Sequence, residues 1–266
     1  MHQISLGFSP CPNDTYIFHA LVTGVTPVER VRFSPRLEDV ETLNRLALAG
    51  AIDVTKVSYG AVPQLLERYT LLRSGGALGR GCGPLLVSRR PLDPTDLRGA
   101  TIAVPGRMTT ANLLLRLYAP ELPPGREMVY SDIMPAVARG DVDAGLIIHE
   151  SRFTYPEHGL VKVVDLGEWW EKETGAPIPL GGIVARTSLG EDLIRRIEGG
   201  IRASVEHAFR HPEASAGYVA AHAQEMDPAV MRQHIDLYVN DFSVDVGTEG
   251  ERAIEELLQR ALTPGA

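Results

Sequence analysis

The chain has 266 residues, of which 44% are hydrophobic and 23% charged; this composition is typical of a globular protein with enough apolar residues for one large domain or two lobes. Its formal net charge of −8 argues against non-specific binding of nucleic acid and against attraction to an anionic membrane. The only cysteines, Cys11 and Cys82, are far apart in sequence, so neither a disulfide framework nor a zinc knuckle is expected, and we assign no metal.

The first residues lack the basic start and the long apolar core of a signal peptide, and a strand-like pattern begins at residue 3. No apolar run reaches the length of about 18 residues that a membrane-spanning helix needs. We therefore expect a cytoplasmic protein without nucleic-acid or membrane partners. The oligomeric state is left open by these features.

Short apolar segments alternate with amphipathic segments over about the first 190 residues, which is the pattern of an α/β protein. Strands are predicted at 4–8, 31–34, 54–57, 71–73, 85–88, 101–104, 127–130, 145–148, 161–165 and 182–186. Helices are predicted near 14–23, 39–49, 59–68, 109–118 and 131–139. The remainder is mainly helical, with helices near 190–210, 212–224, 227–238 and 247–261 and a short strand at 240–244.

The first predicted strand leads into residues 9–15, Ser-Pro-Cys-Pro-Asn-Asp-Thr, which precede a predicted helix. Two prolines make this loop stiff, and Asn13 and Asp14 are strong candidates to cap the helix. A strand, a rigid polar loop and a helix N-terminus together form a common binding corner for anions or polyols. An ordinary capped turn without a ligand is the alternative, in which Asn13 and Asp14 only brace the loop.

Residues 46–54 and 136–144 resemble each other and indicate an internal repeat. In both segments a short amphipathic helix stops at a glycine, and an aspartate and an apolar strand follow. Aligning the two aspartates puts residues 58–59 opposite residues 148–149, at the C-terminal ends of two strands, where ligands bind in open α/β sheets. Chance similarity is the alternative; a true repeat predicts two similar lobes that face one cleft.

Polar residues at these two strand ends are candidates for chemistry. The imidazole of His149 can take a proton from a hydroxyl or a carbon near neutral pH. A histidine that bridges backbone groups at a strand end is the alternative. Lys56 can pair with a carboxylate and Ser58 can donate a hydrogen bond, although a lysine that extends to water is the more common case.

A second loop between a strand and a helix, residues 106–112, contains Thr109 and Thr110. Their hydroxyls can cap the helix, and the free backbone amides at a helix N-terminus suit a carboxylate. The alternative is a helix cap that binds no ligand. Capping and binding are compatible with each other.

Two further features predict no site. The glycine-rich stretch 75–83 lacks the Gly-Lys-Ser/Thr sequence and the following helix that a phosphate-binding loop needs. Several histidines of the C-terminal part have no metal-ligand spacing and are expected to lie on the surface or in the core. They are His207, His211, His222 and His234.

Three motifs, in this order along the chain, resemble segments of the 1,4-dihydroxy-6-naphthoate synthase family of the futalosine pathway of menaquinone biosynthesis. They are residues 9–15, the segment Lys56-Val57-Ser58, and residues 147–155, Ile-Ile-His-Glu-Ser-Arg-Phe-Thr-Tyr. The resemblance implies a carbon–carbon lyase that converts cyclic dehypoxanthine futalosine into 1,4-dihydroxy-6-naphthoate and releases a three-carbon fragment. It implies His149 as the general base and requires no cofactor.

The resemblance also indicates which residues bind this small carboxylate substrate. Together with the candidates from the first loop they are Lys56, Val57, Ser58, Thr109, Thr110, Asn13 and Asp14. Two alternatives stay open at this point: chorismate dehydratase of the same pathway, and a non-catalytic protein that binds a small carboxylate.

A polar, proline-bearing connector at 88–99, followed by a strand-like segment, resembles the start of the second lobe in type II periplasmic-binding-protein folds. The resemblance implies a two-lobed α/β fold with a ligand cleft between the lobes and a return crossing near 179–186. Two crossings form a hinge, so closure of the cleft around a ligand is expected. The predicted lobes are lobe 1, residues 1–88 plus 187–266 with the helical C-terminal part, and lobe 2, residues 89–186.

Overall fold

A computed structural model describes residues 1–224 and 227–262, and this part of the chain contains two mixed β-sheets covered by helices. The strands are β1 (His2–Phe8), β2 (Val31–Leu37), β3 (Val54–Ser58), β4 (Tyr69–Leu71), β5 (Ala77–Gly79), β6 (Leu85–Ser88), β7 (Ile102–Val104), β8 (Arg126–Glu127), β9 (Ala144–Ile147), β10 (Val161–Asp165) and β11 (Ile178–Arg186). Those parts of predicted lobe 1 that fall at 225–226 and 263–266 lie outside the described residues.

The α-helices follow the strands in the first part of the chain and succeed one another near its end. They are α1 (Pro12–Val22), α2 (Val40–Leu48), α3 (Thr110–Tyr118), α4 (Tyr130–Arg139), α5 (Ser151–Thr154), α6 (Leu166–Thr174), α7 (Glu191–Arg210), α8 (Ala216–His222), α9 (Pro228–Tyr238), α10 (Asp241–Val244) and α11 (Gly247–Ala261). Short 3-10 helices lie at Tyr59–Gln64, Pro94–Gly99, Tyr155–His158, Thr187–Leu189 and Pro212–Ser215.

The two sheets have the same strand order. The first runs β2-β1-β3-β11-β4, with β5 also paired to β11, and the second runs β8-β7-β9-β6-β10. In each sheet the first three strands are parallel, and the next two alternate in direction. The unit from β1 to β3 therefore corresponds to the unit from β7 to β9. Because parallel strands end at the same edge, the polar loops after them gather there.

The repeat predicted at 46–54 and 136–144 is present in the structure. Gly50 and Gly140 have left-handed backbone conformations, with φ of +66° and +83°, and end α2 and α4. Each glycine, and the residue after it, donates an N–H back to the last helical turn. Asp53 accepts the backbone N–H of Ser5 in β1 at 2.9 Å, and Asp143 accepts that of Thr101, the residue before β7, at 2.8 Å. The two segments thus fold in the same way, as their sequences indicate.

The prediction of a strand at 240–244 is wrong, because the segment forms the short helix α10. The side chain of Asn240 accepts a hydrogen bond from Phe242 N at 3.0 Å, and Ser243 Oγ accepts one from Asn240 N at 3.3 Å. This reciprocal capping stabilises the first turn of a helix. The local hydrogen bonds of the cap favour the helix over the predicted strand.

Pairing between strands assigns β6 to the second sheet and β11 to the first. The predicted boundaries at 88/89 and 186/187 instead place β6 in lobe 1, with the first sheet, and β11 in lobe 2, with the second sheet. The sheets therefore favour crossings before β6 and before β11, and the exact division into lobes stays a prediction. A strand's own sequence does not specify which neighbour it will pair with, because burial on both faces selects only for apolar residues.

One apolar cluster joins the two sheets. It contains Val57 and Val184 of the first sheet together with Leu86 and Leu146 of the second. Because these side chains are buried against one another, the hydrophobic core is continuous between the two sheets. The polar loops lie at the edge of this shared core. Among the described residues, no helix is both long enough and apolar enough to cross a membrane.

Candidate functional site

A cavity of about 80 Å³ lies where the loops after the parallel strands of both sheets meet. Residues of both sheets and of the C-terminal helix α9 form its wall. The lining residues are Ser9, Asn13, Asp14, Val40, Lys56, Ser58, Ala77, Cys82, Pro84, Thr109, Thr110, Ala111, Ile148, His149, Leu180, Gly181, His234 and Tyr238.

All of the residues predicted for the site line this cavity except Val57. The side chain of Val57 is fully buried in the apolar core, because neighbouring residues of a strand point to opposite faces and Lys56 and Ser58 face the cavity. The structure therefore brings together His149, the β3 residues and the two loop segments, which are distant in sequence. Their roles in binding or catalysis stay predictions.

A buried ion pair forms one wall of the cavity. Lys56 Nζ lies 2.9 Å from Asp14 Oδ1, and it also donates to the carbonyl oxygen of Gly75 at 3.1 Å. Asp14 Oδ2 accepts from the hydroxyl and the backbone N–H of Ser9, at 2.7 and 3.1 Å. Both charged side chains are almost completely buried, so each depends on the other for compensation. An ammonium has three N–H donors, so Lys56 retains one for a ligand.

Ser58 is oriented by the fully buried Asn44 of α2. The side-chain oxygen of Asn44 accepts from Ser58 N at 2.9 Å, and its amide nitrogen donates to Ser58 Oγ at 3.2 Å. The serine hydroxyl acts as the acceptor in this pair, so its own hydrogen is available as a donor to the cavity.

The start of α3 supplies hydrogen-bond donors from its backbone. Thr109 Oγ1 caps the helix by accepting from Asn112 N at 3.2 Å. Thr110 Oγ1 donates to the carbonyl of Leu180 at 2.6 Å and accepts from Gly60 N at 3.1 Å. Both hydroxyls are thus engaged within the protein. The first N–H groups of a helix have no partner within the helix, so those of Thr110 and Ala111, whose residues line the cavity, suit an anionic group.

His149 is the second residue after β9 and has φ of +58°, an uncommon conformation for a residue other than glycine. Its ring packs edge to face with that of Tyr130, with ring centres 5.2 Å apart, and stacks with the ring of His234 at 6.1 Å. Within the described residues, neither ring nitrogen has a hydrogen-bond partner. Burial is the largest effect on the pKa of His149 and lowers it, whereas Glu150 and Asp14 act in the opposite direction. The imidazole is therefore neutral and free to accept a proton at neutral pH.

His234 is the main residue that sequence reasoning missed. It was expected on the surface or in the core, and it is fully buried, but it also lines the cavity from α9. Its Nε2 lies 2.9 Å from Asn13 Oδ1. Burial, strengthened by the positive charge of Lys56 nearby, lowers the pKa of His234 well below its ordinary value. The surrounding sequence carries no motif that could have identified it.

In the part of the chain that the structure describes, no group of three or more His, Cys, Asp or Glu side chains is placed to hold a metal ion. Cys82 lines the cavity, but burial raises the pKa of its thiol to about 12. Burial likewise raises the pKa of the Cys11 thiol well above its ordinary value. Neither cysteine is therefore a thiolate at neutral pH.

Comparison with known proteins identifies relatives over the whole length of the chain. A family model described as menaquinone biosynthesis matches residues 4–263. A 1,4-dihydroxy-6-naphthoate synthase of Thermus thermophilus is 57% identical over 265 residues, which cover 100% of this chain and 96% of that protein. An enzyme of the same name from Streptomyces coelicolor is 51% identical, and the aligned residues cover 98% of this chain and 94% of that protein.

Solved structures show the same fold. A protein of Archaeoglobus fulgidus has a TM-score of 0.92 and 33% identity, with 98% of this chain and 97% of that chain covered. An alkanesulfonate-binding protein of Xanthomonas axonopodis pv. citri has a TM-score of 0.66 and 17% identity, with 99% and 95% covered. A Candida albicans protein described as having the generic periplasmic-binding-protein fold has a TM-score of 0.71, 11% identity, and 99% and 92% covered.

The similarity to the last two structures confirms the predicted periplasmic-binding-protein-like α/β fold and, at such low identity, shows nothing beyond the fold. The family model and the two synthases confirm the resemblance that residues 9–15, 56–58 and 147–155 indicated. Residues of these same three segments line the cavity. Because the family model matches nearly the whole chain and both synthases are more than 50% identical to it, the chain belongs to the menaquinone-biosynthesis family that includes the 1,4-dihydroxy-6-naphthoate synthases.

Proposed function

We propose that this protein is a 1,4-dihydroxy-6-naphthoate synthase, a lyase that converts cyclic dehypoxanthine futalosine into 1,4-dihydroxy-6-naphthoate and a three-carbon fragment. The observation that carries the proposal is His149, a neutral imidazole without a hydrogen-bond partner in the described residues, facing a cavity rich in donors. Relatives with the synthase name at 57% and 51% identity favour this activity over chorismate dehydratase and over a non-catalytic carboxylate-binding protein.

In the proposed reaction His149 accepts the proton of a substrate hydroxyl. The oxygen of that hydroxyl becomes a carbonyl as the adjacent carbon–carbon bond breaks, and the electron pair of the bond stays with the ring system. The ring system takes up a proton and becomes aromatic, so the proton count balances and no oxidant or reductant is consumed. A positioned general base of this kind contributes about 10²- to 10⁴-fold to the rate.

The substrate is anionic, whereas the chain has a net charge of −8, so binding needs locally placed donors. The ammonium of Lys56, the hydroxyl of Ser58 and the N-terminal amides of α3 face the cavity and are such donors. Preorganised donors hold the carboxylate and align the scissile bond with His149. The cytoplasmic location and closure of two lobes around the substrate are further parts of this proposal.

Incubation of the purified protein with cyclic dehypoxanthine futalosine, followed by chromatography of the naphthoate product, tests the proposal. We expect turnover by the wild type and a loss of about two orders of magnitude or more in kcat for His149→Ala. His158→Ala, which changes an exposed histidine in the same segment, is the matched control. Binding without turnover would identify a carrier or sensor, and turnover that survives His149→Ala would remove His149 as the base.

A further inference from the structure

Two buried polar atoms beside His149 face each other without hydrogen-bond partners. Nδ1 of His234 and Oε2 of Glu150 are 3.8 Å apart, and neither has a partner among the described residues. The His234 side chain is fully buried, and that of Glu150 is 10% exposed. Buried polar atoms without a partner are costly, so this pair calls for a specific explanation.

The hydrogen bonds on the other side of His234 determine which ring nitrogen carries its proton. The amide nitrogen of Asn13 donates to Asp14 Oδ1 at 3.0 Å, and Lys56 donates to the same oxygen, which fixes the orientation of the amide. Asn13 Oδ1 therefore accepts from Nε2 of His234 at 2.9 Å. In the neutral ring, which the lowered pKa of His234 favours, Nε2 carries the hydrogen and Nδ1 has only a lone pair.

Nδ1 of the neutral His234 ring and a carboxylate oxygen of Glu150 are both acceptors, so they cannot satisfy each other. One proton between Nδ1 and Oε2 satisfies both atoms after a small movement of either side chain. The other carboxyl oxygen, Oε1, lies 3.4 Å from the hydroxyl of Tyr130, which donates at 2.6 Å to the side-chain oxygen of Gln224.

The pair is in direct contact with the segment that carries the proposed base. Glu150 follows His149, which has a left-handed backbone conformation; the imidazole lines the cavity, and the carboxyl group faces His234. Tyr130 contacts both residues, since its ring meets the ring of His149 and its hydroxyl lies near Glu150. Anything that holds Glu150 therefore also holds His149 in an unusual conformation.

We propose that His234 is a positioning residue for the reaction at His149 and acts through one proton that it shares with Glu150. Its Nε2 anchors the ring to the start of α1 through Asn13, and the shared proton anchors the loop after β9. This role rests on the proposed function of His149 as the base. It extends the functional site to α9, which none of the three sequence motifs includes.

Variants of Glu150 separate a shared proton from simple packing. In Glu150→Gln the amide nitrogen can donate to Nδ1 of His234, so we expect kcat within about 3-fold of the wild type. Glu150→Leu keeps a similar volume but supplies no hydrogen, and we expect kcat to fall about 10- to 100-fold with little change in KM, since misplacement of a catalytic group by about 1 Å costs on the order of 10²-fold. Glu157→Gln, in the same segment and exposed, is the matched control.

A variant of His234 completes a double-mutant cycle. The amide of His234→Gln can still donate to Asn13 but cannot share a proton with Glu150, so we expect the same loss of kcat as in Glu150→Leu. The double variant should lose no more than either single variant, because both remove one interaction. The proposal would be overturned if His234→Gln kept full activity, or if the loss in the double variant equalled the sum of the two single losses. It would also be overturned if Glu150→Gln lost as much activity as Glu150→Leu.

Nitrogen-15 NMR of histidine-labelled protein tests the pair without any turnover. We expect His234 to be neutral, protonated on Nε2, and hydrogen-bonded at Nδ1. In Glu150→Leu its Nδ1 resonance should move to the position of an unbonded lone pair, and in Glu150→Gln it should stay bonded. If the wild type made no naphthoate but showed this spectrum, the proposed function would fail and the proton-sharing pair would stand; an unbonded Nδ1 in the wild type would refute the pair itself.

Discussion

His149 combines two properties that a general base at neutral pH requires. Its imidazole is not committed to a hydrogen bond within the described residues, and burial lowers its pKa so that the ring is neutral. The negative charge of Asp14 nearby raises the pKa, and thus prevents burial from making the imidazole too weak a base. The pKa of His149 is therefore set by a balance between desolvation, which lowers it, and nearby negative charge, which raises it.

This balance predicts the pH dependence of the reaction. If His149 is the base, as proposed, its protonation leaves no acceptor for the substrate proton, so kcat/KM should fall as the pH decreases through the pKa of the imidazole. Because that pKa is lowered, we expect the midpoint of the acid limb below the ordinary histidine value of about 6.5. Rates from pH 5 to 8 measure it, with the unfolding temperature followed as a control. A midpoint at or above the ordinary value would contradict the role of burial.

At the scale of elements, close backbone contact fixes the start of β6 against the start of α6. A Cβ atom on Gly83 would lie 2.3 Å from the Cα and N atoms of Gly167, which leaves no room for any side chain. Next to this contact, the carbonyl of Pro84 accepts from Leu166 N at 3.0 Å. Because Pro84 lines the cavity, the glycine contact also sets one wall of the site.

Gly83→Ala should therefore force the two backbones apart. We expect a decrease of about 1–3 kcal/mol in the free energy of unfolding, the usual cost of overpacking, measured by urea denaturation. Gly217→Ala in α8, where an added Cβ meets nothing within 4 Å, is the matched control and should be neutral or slightly stabilising. An unchanged stability of Gly83→Ala would show that β6 and α6 can separate without cost.

At the scale of the whole molecule, the two sheets meet across a narrow cleft. Thr110 bonds to Leu180 and Gly60, and Met108 N donates to Glu41 Oε2 at 3.2 Å, so elements of both sheets are joined at the cavity. Separation of these contacts would widen the entrance to the cavity, and we expect it to accompany substrate entry.

Opening should be visible in solution. We expect a larger radius of gyration by small-angle X-ray scattering for the free protein than for the protein saturated with 1,4-dihydroxy-6-naphthoate, because the ligand favours the closed cleft. Slower hydrogen exchange at the N–H of Gly60, which donates to Thr110, should accompany closure. Equal radii and unchanged exchange, with binding shown by calorimetry, would mean that the cleft does not open by lobe movement.

The sequence by itself determined the local structure and most of the site. Alternating strands and helices, the glycine caps at residues 50 and 140, and the loop at 106–112 with its Thr109 cap follow from short-range preferences, and the structure confirms them. The expectation that Asn13 and Asp14 cap the first helix is wrong, because α1 already begins at Pro12 and both residues lie within its first turn. Parallel strands end at one edge, so the loops after them had to meet. For that reason Lys56 and His149 could be predicted to line the same cavity from their positions in a repeat.

Only the tertiary structure decided which distant segments complete this cavity. The sheet to which β6 and β11 belong depends on the partners they meet, not on their own apolar sequences. His234 lies on a helix without a motif, and it reaches Asn13 and Glu150 only because α9 packs against α1 beside the loop after β9. Its neutral state also follows from burial, which depends on atoms from all parts of the chain and therefore leaves no signal in the surrounding residues.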